Sequence, residues 1–191
     1  MARWFSWGPA LSYKGRKFKG LRGWAGKPTH PPLTDVPITC YMLAMGFDLI
    51  SWAQGEGAAG ESFFDAATYV LVPGYVVGLL AALTGFWDWL KSTPNHSQVW
   101  RTANAHMAVM ATTQAVVLVN LIVRWGEPGP TETLPFVLSL LAGGLVTIGS
   151  FYGGSLVYDY GFNVENATDL PQYHPDERDI YARDKAGGST G

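Results

Sequence analysis

The sequence predicts an all-α polytopic membrane protein: a bundle of four transmembrane helices with an irregular N-terminal arm and an extended C-terminal tail. Three observations carry this reading. Four apolar segments, residues 36–53, 66–90, 105–123 and 134–157, each meet or approach the roughly 20 residues that a helix needs to cross about 30 Å of hydrocarbon. None shows the apolar–polar alternation of barrel strands, and in lipid only helices and closed barrels satisfy their own backbone. Of the 13 Lys and Arg residues, all but Arg124 fall on one side of the four segments. With 191 residues there is room for one membrane domain, residues 33–158, between an arm at 1–32 and a tail at 159–191.

The arm mixes Trp4, Phe5, Trp7, Phe18 and Trp24 with Lys and Arg, a combination suited to the headgroup region. Its glycines and Pro9 argue against one continuous amphipathic helix, so the arm is expected to lie irregularly on the surface or to dock on a neighbouring subunit. No cleavable signal peptide is visible, because the leading residues are aromatic and basic and the first apolar stretch begins late. The basic arm, Lys91 and Arg101 share one face with the tail. The opposite connections hold Glu56, Glu61, Asp65, Glu127 and Glu132 against Arg124. The positive-inside rule therefore predicts both termini in the cytoplasm; the expected location is a bacterial inner membrane. The formal net charge of −2 conceals that split and says nothing of partners; nothing points to nucleic acid.

The first span opens with Thr34 or Asp35 as its expected cap and Pro37 in its first turn. Cys40, the single cysteine, excludes a disulfide or thiolate cluster within the chain. Asp48 lies deep in this span, near the face where Arg124 ends the third. An unpaired charge at that depth is costly, so an Asp48–Arg124 ion pair is expected. The second span carries Gly74, Gly78, Ala81 and Gly85; the third Ala105, Ala108, Ala111 and Ala115; the fourth Gly149 and Gly153. Small residues at this spacing let backbones approach closely, which predicts a compact bundle. The tail is polar and acidic and ends in Ala-Gly-Gly-Ser-Thr-Gly, too poor in apolar surface to order itself. Asn166-Ala-Thr168 matches a glycosylation sequon, read as accidental on a cytoplasmic face.

Two histidines carry the chemical interest. His106 sits one to two turns inside the third span, and an ionisable group there is a functional hypothesis by default. A histidine hydrogen-bonded across the bundle is the competing reading. His30, just before the first span, reads equally as an interfacial residue. Because both spans start on the same face, His30 and His106 stand at similar depth, with Asp35, Asp88, Trp87 and Trp89 at the same level. Facing imidazoles are a recurrent axial pair for haem iron. The candidate haem-binding set is His30, His106, Trp87 and Tyr152; a mononuclear metal held by His30, His106 and Asp88 is the alternative. There is no phosphate-binding glycine loop, no Ser–His–Asp arrangement and no carboxylate pair suited to hydrolysis, so no catalytic residue is assigned. Proton or ion transport through Asp48 would need a second titratable relay group at mid-membrane.

Several stretches resemble a family of small four-helix integral membrane domains of unknown function. They are His30-Pro31-Pro32-Leu33-Thr34-Asp35-Val36-Pro37-Ile38, Phe47-Asp48, Ala82-Leu83-Thr84-Gly85-Phe86-Trp87-Asp88-Trp89, His106, and Gly153-Gly154-Ser155-Leu156-Val157-Tyr158-Asp159-Tyr160-Gly161. Such domains are often fused to, or encoded beside, Rieske-type iron–sulfur proteins. The resemblance implies a place in membrane electron transfer, and the further expectation is a b-type haem at the positions matching His30 and His106. The chain itself has no Cys/His pairs for an iron–sulfur centre, so that centre would come from a partner. The expected role is a membrane subunit of a bacterial respiratory or photosynthetic complex, in contact with lipid and with larger subunits through arm and tail. A purely structural subunit that fills a gap or binds lipid or pigment is the alternative.

Overall fold

A computed structural model describes residues 20–21, 28–126 and 129–164. Four helices follow one another: α1 (His30–Gln54), α2 (Ala58–Ser92), α3 (Gln98–Trp125) and α4 (Thr133–Tyr158). All four are long and apolar enough to span a membrane, as the sequence predicts. Most of the arm and of the tail, and with them the docking surfaces and the sequon, lie outside the described residues.

The helix ends correct the sequence reading in two places. α1 begins at His30 rather than at a Thr34 or Asp35 cap. Pro31 and Pro32 occupy the first turn, where a missing N–H costs nothing, and Thr34 instead donates its hydroxyl back to the Pro31 carbonyl at 2.7 Å. α2 is 35 residues long and starts at Ala58, about two turns before its apolar stretch. Its first turns carry Glu61 and Asp65 on the exposed side. α3 opens where Ser97 accepts from the Trp100 N–H at 3.0 Å, an N-cap in the usual sense. Beyond α4 the Phe162 N–H reaches the Leu156 carbonyl at 2.8 Å while Gly161 turns with φ 58°, a left-handed conformation that glycine takes without strain.

The helices form a closed ring. α1 packs most extensively on α2 and α3 on α4; α1–α4 and α2–α3 complete the circuit, leaving α1 and α3 diagonal to each other. The core is built from Tyr41, Ala44, Ala67, Leu71, Val117, Ala142 and Val146. Glycines bring the helices together: a Cβ on Gly74 would stand 2.6 Å from the Cys40 Cβ, and one on Gly143 would stand 2.5 Å from the Met45 sulfur. Large apolar side chains such as Leu83, Ile122 and Phe151 face outward, as a lipid-facing surface requires. The interior is less greasy than the exterior. It holds Asp48, Ser51, Asp88, Thr113, Asn120, Arg124 and Ser139.

Candidate functional site

Polar side chains meet across the diagonal between α1 and α3 in three rungs, one toward each end and one between. At one end stands the predicted ion pair. Arg124 Nη2 donates to Asp48 Oδ2, and both side chains are almost fully buried. The guanidinium is satisfied on every side: Nε donates to Asn120 Oδ1 at 3.0 Å, and Nη1 to Thr68 Oγ1 at 2.8 Å and the Phe64 carbonyl at 3.2 Å. Its planar face lies 4.4 Å from the Phe64 ring centre, within cation–π range. Asn120 in turn donates to Ser139 Oγ at 2.8 Å, which brings α4 into the network. Asp48 Oδ1 has no partner among the described residues.

The middle rung escaped the sequence reading. Tyr41 donates its hydroxyl to Gln114 Oε1 and lies 3.1 Å from the Gly74 carbonyl oxygen. A glutamine inside an apolar span was the available signal, because its amide has to find a partner in the bundle.

The third rung is the histidine pair. The rings of His30 and His106 approach to 6.3 Å between centroids, with planes at 81°. Each is oriented by a neighbouring helix. His30 Nδ1 donates to the Ala81 carbonyl of α2 at 2.8 Å, and His106 Nδ1 to the Gly149 carbonyl of α4 at 2.9 Å. A carbonyl only accepts, so Nδ1 carries the proton and the lone pair of each neutral ring lies on Nε2. This is the arrangement of a metal-ligating histidine, whose other nitrogen donates to a fixed acceptor. Glycines make room for the rings. A Cβ on Gly85 would stand 2.7 Å from His30 Cε1, and one on Gly153 3.3 Å from His106 Cε1. Neither orienting carbonyl has a side-chain signature, so neither was legible beforehand.

Three other candidates are not drawn in. Trp87 and Tyr152 face outward, 46% and 38% exposed. On α2 the interior line runs through Gly74, Gly78, Ala81 and Asp88, and Trp87 is one residue out of phase with it. Its ring lies 5.1 Å from Lys91 Nζ instead. Asp88 is buried at 4% exposure, but its Oδ1 accepts the Leu21 N–H at 2.8 Å. Among the described residues no three His, Cys, Asp or Glu side chains gather around one point, so His30, His106 and Asp88 do not form a three-ligand metal site. Asp88 instead fastens the chain ahead of α1: Leu21, held by its amide, accepts at its own carbonyl from the Thr29 N–H at 3.2 Å. Replacing Asp88 by Ala is expected to release the Leu21 amide. A charge-assisted bond of this kind contributes roughly 1.5–3 kcal/mol, and faster limited proteolysis between Gly20 and Thr29, with the four helices intact, is the readout.

A bundle of four membrane-spanning helices with a polar diagonal defines a helical integral membrane protein. Its sequence places it further. Residues 26–166 match the family described as "Predicted membrane protein (DUF2231)", and the chain belongs to that family. No curated protein and no solved structure matches it.

Proposed function

We propose that this chain is a membrane subunit of a bacterial electron-transfer complex, respiratory or photosynthetic, and that it holds a b-type haem between His30 and His106. The observation that carries the reading is the histidine pair itself. Two imidazoles from diagonal helices meet inside the bundle, each with its Nδ1 committed to a backbone carbonyl and the lone pair of Nε2 left for a metal. The 6.3 Å ring separation suits two imidazoles sharing one metal: about 2 Å from metal to each nitrogen, plus the distance to each ring centre, comes to roughly 6 Å. Haem would supply one-electron chemistry, with the axial pair helping to set its potential. The chain's own residues do the rest. Ala81 and Gly149 fix the tautomers, Gly85 and Gly153 admit the rings, and the outward apolar faces exclude water from the site. The charge asymmetry supports termini in the cytoplasm, which puts His30 and His106 near that face. The basic aromatic arm and acidic tail suit docking to larger subunits.

An optical spectrum of the full-length protein purified in detergent tests this. A Soret band is expected in the wild type and its loss in both His30→Ala and His106→Ala. No Soret band in any preparation, including cells supplemented with haem precursor, would remove the haem. A second reading, a purely structural subunit, draws on the fact that each Nδ1–H already has its acceptor. It expects both alanine variants to leave the activity of the parent complex intact.

A further inference from the structure

The two halves of the bundle repeat each other. Asp48 and Arg124 are 76 residues apart, and the same shift carries His30 onto His106. It also carries the buried Pro37, Tyr41 and Ala44 of α1 onto the buried Thr113, Val117 and Asn120 of α3. Ser51, the remaining buried residue of α1, maps just past the end of α3. A second constant shift, set by the two carbonyls that accept from the imidazoles, carries Ala81 onto Gly149. That shift also takes Gly85 to Gly153, the glycines against the two rings. It takes buried Ala67, Leu71, Gly74, Gly78 and Asp88 to buried Pro135, Ser139, Ala142, Val146 and Leu156. The packing follows suit. Exchanging α1 with α3 and α2 with α4 exchanges the two most extensive helix contacts with each other, and the two lesser ones likewise. Core-facing helices share a rhythm, so burial alone can be aligned at some shift. Here each shift is set by the imidazole or its acceptor before burial is compared, and the ion pair obeys it too.

We infer that the chain is one helical hairpin used twice, α1–α2 and α3–α4 related by a pseudo-two-fold axis along the bundle, and that the histidine pair is a two-half site on that axis for a metal centre offering two opposite, equivalent coordination positions. The ligand clause rests on the haem reading above; the duplication does not. Parallel repeats of this kind place their axis along the membrane normal, which is why both imidazoles come at one depth. Each half contributes one nitrogen donor, one orienting carbonyl and one glycine. Two donors cannot complete a tetrahedral zinc site, which takes four ligands, and no third His, Cys, Asp or Glu ligand joins them among the described residues. The fitting class is a metal whose other positions are filled by its own macrocycle, a metalloporphyrin.

The test has two arms on the full-length protein. In the first, haemin is titrated into His30→Gly and His106→Gly, and free imidazole is added to refill each vacated position. Wild type should give six-coordinate low-spin iron with the strongly anisotropic ferric resonance of perpendicular axial rings. Each variant should lose that signal, and imidazole should restore it at concentrations within about threefold of each other. A gap beyond about tenfold, or one histidine that proves dispensable, overturns the two-half site. In the second arm, without haem, the melting midpoints of Asp48→Arg, Arg124→Asp and the double swap are compared. Equivalent positions expect the swap to recover most of the loss, and a swap no more stable than the worse single variant overturns the duplication. A wild type that takes up no haemin while the swap recovers sinks the haem reading and the ligand clause together, and leaves the duplication standing.

Discussion

Arg124→Ala is expected to be the most destabilising single change in the bundle. Removing the guanidinium strands the Asp48 carboxylate inside a helix bundle, and it withdraws donors from Asn120, Thr68 and the Phe64 carbonyl at once. Breaking one partner of a buried pair costs roughly 3–5 kcal/mol, because the survivor keeps its desolvation penalty and loses its compensation. Replacing both partners by apolar residues of similar volume removes that penalty. Asp48→Leu with Arg124→Met should therefore be far more stable than Arg124→Ala alone. Denaturant titration of the detergent-solubilised protein checks the order. A double replacement as unstable as Arg124→Ala would show that the surrounding polar groups, and not the unmatched carboxylate, dominate the loss.

The second large effect is expected at Gly74, and its size follows from which atom has to move. A Cβ there would lie 2.6 Å from the Cys40 Cβ, an atom fixed to the α1 backbone. At Gly78 the nearest neighbour is nominally tighter, Gln114 Nε2 at 2.5 Å, but it is the far end of a flexible side chain. Gly74→Ala must push α1 away from α2 and should cost about 1–3 kcal/mol, the usual range for overpacking a well-filled interior. Gly78→Ala should cost less, although it disturbs the Tyr41–Gln114 contact. Thermal midpoints of the two variants decide the matter, and equal losses would contradict the argument from mobility.

The spans and the ion pair were legible because lipid leaves few options. A run of apolar residues long enough to cross must be helical, and a deep Asp48 has to find a cation, of which its side of the membrane offers only Arg124. Helix ends were harder. The apolar stretch of α2 stops where hydrocarbon would stop, whereas the helix continues back to Ala58, with no proline in the added turns and Gly60 set where a Cβ would run into the Gly55 carbonyl oxygen. Trp87 shares the depth of the histidines but not their facing, because on a helix one residue of phase turns a side chain by about 100°, and Tyr152 likewise faces outward. The repeat went unseen for a different reason. Asp48 corresponds to Arg124 and Tyr41 to Val117, so equivalent positions differ in charge and polarity, and only geometry relates them.

The clasp from Asp88 to Leu21 and the bond from His30 to Ala81 both close within the first two helices. As the chain emerges from the ribosome, these ties are available once α2 has been made, before any residue of α3 exists. The carboxylate of Asp48 has no such early partner. Its partner, Arg124, arrives 76 residues later. The third helix therefore completes the pairing that the first leaves open, and a chain that stalls before it is left with an unmatched acid inside the membrane.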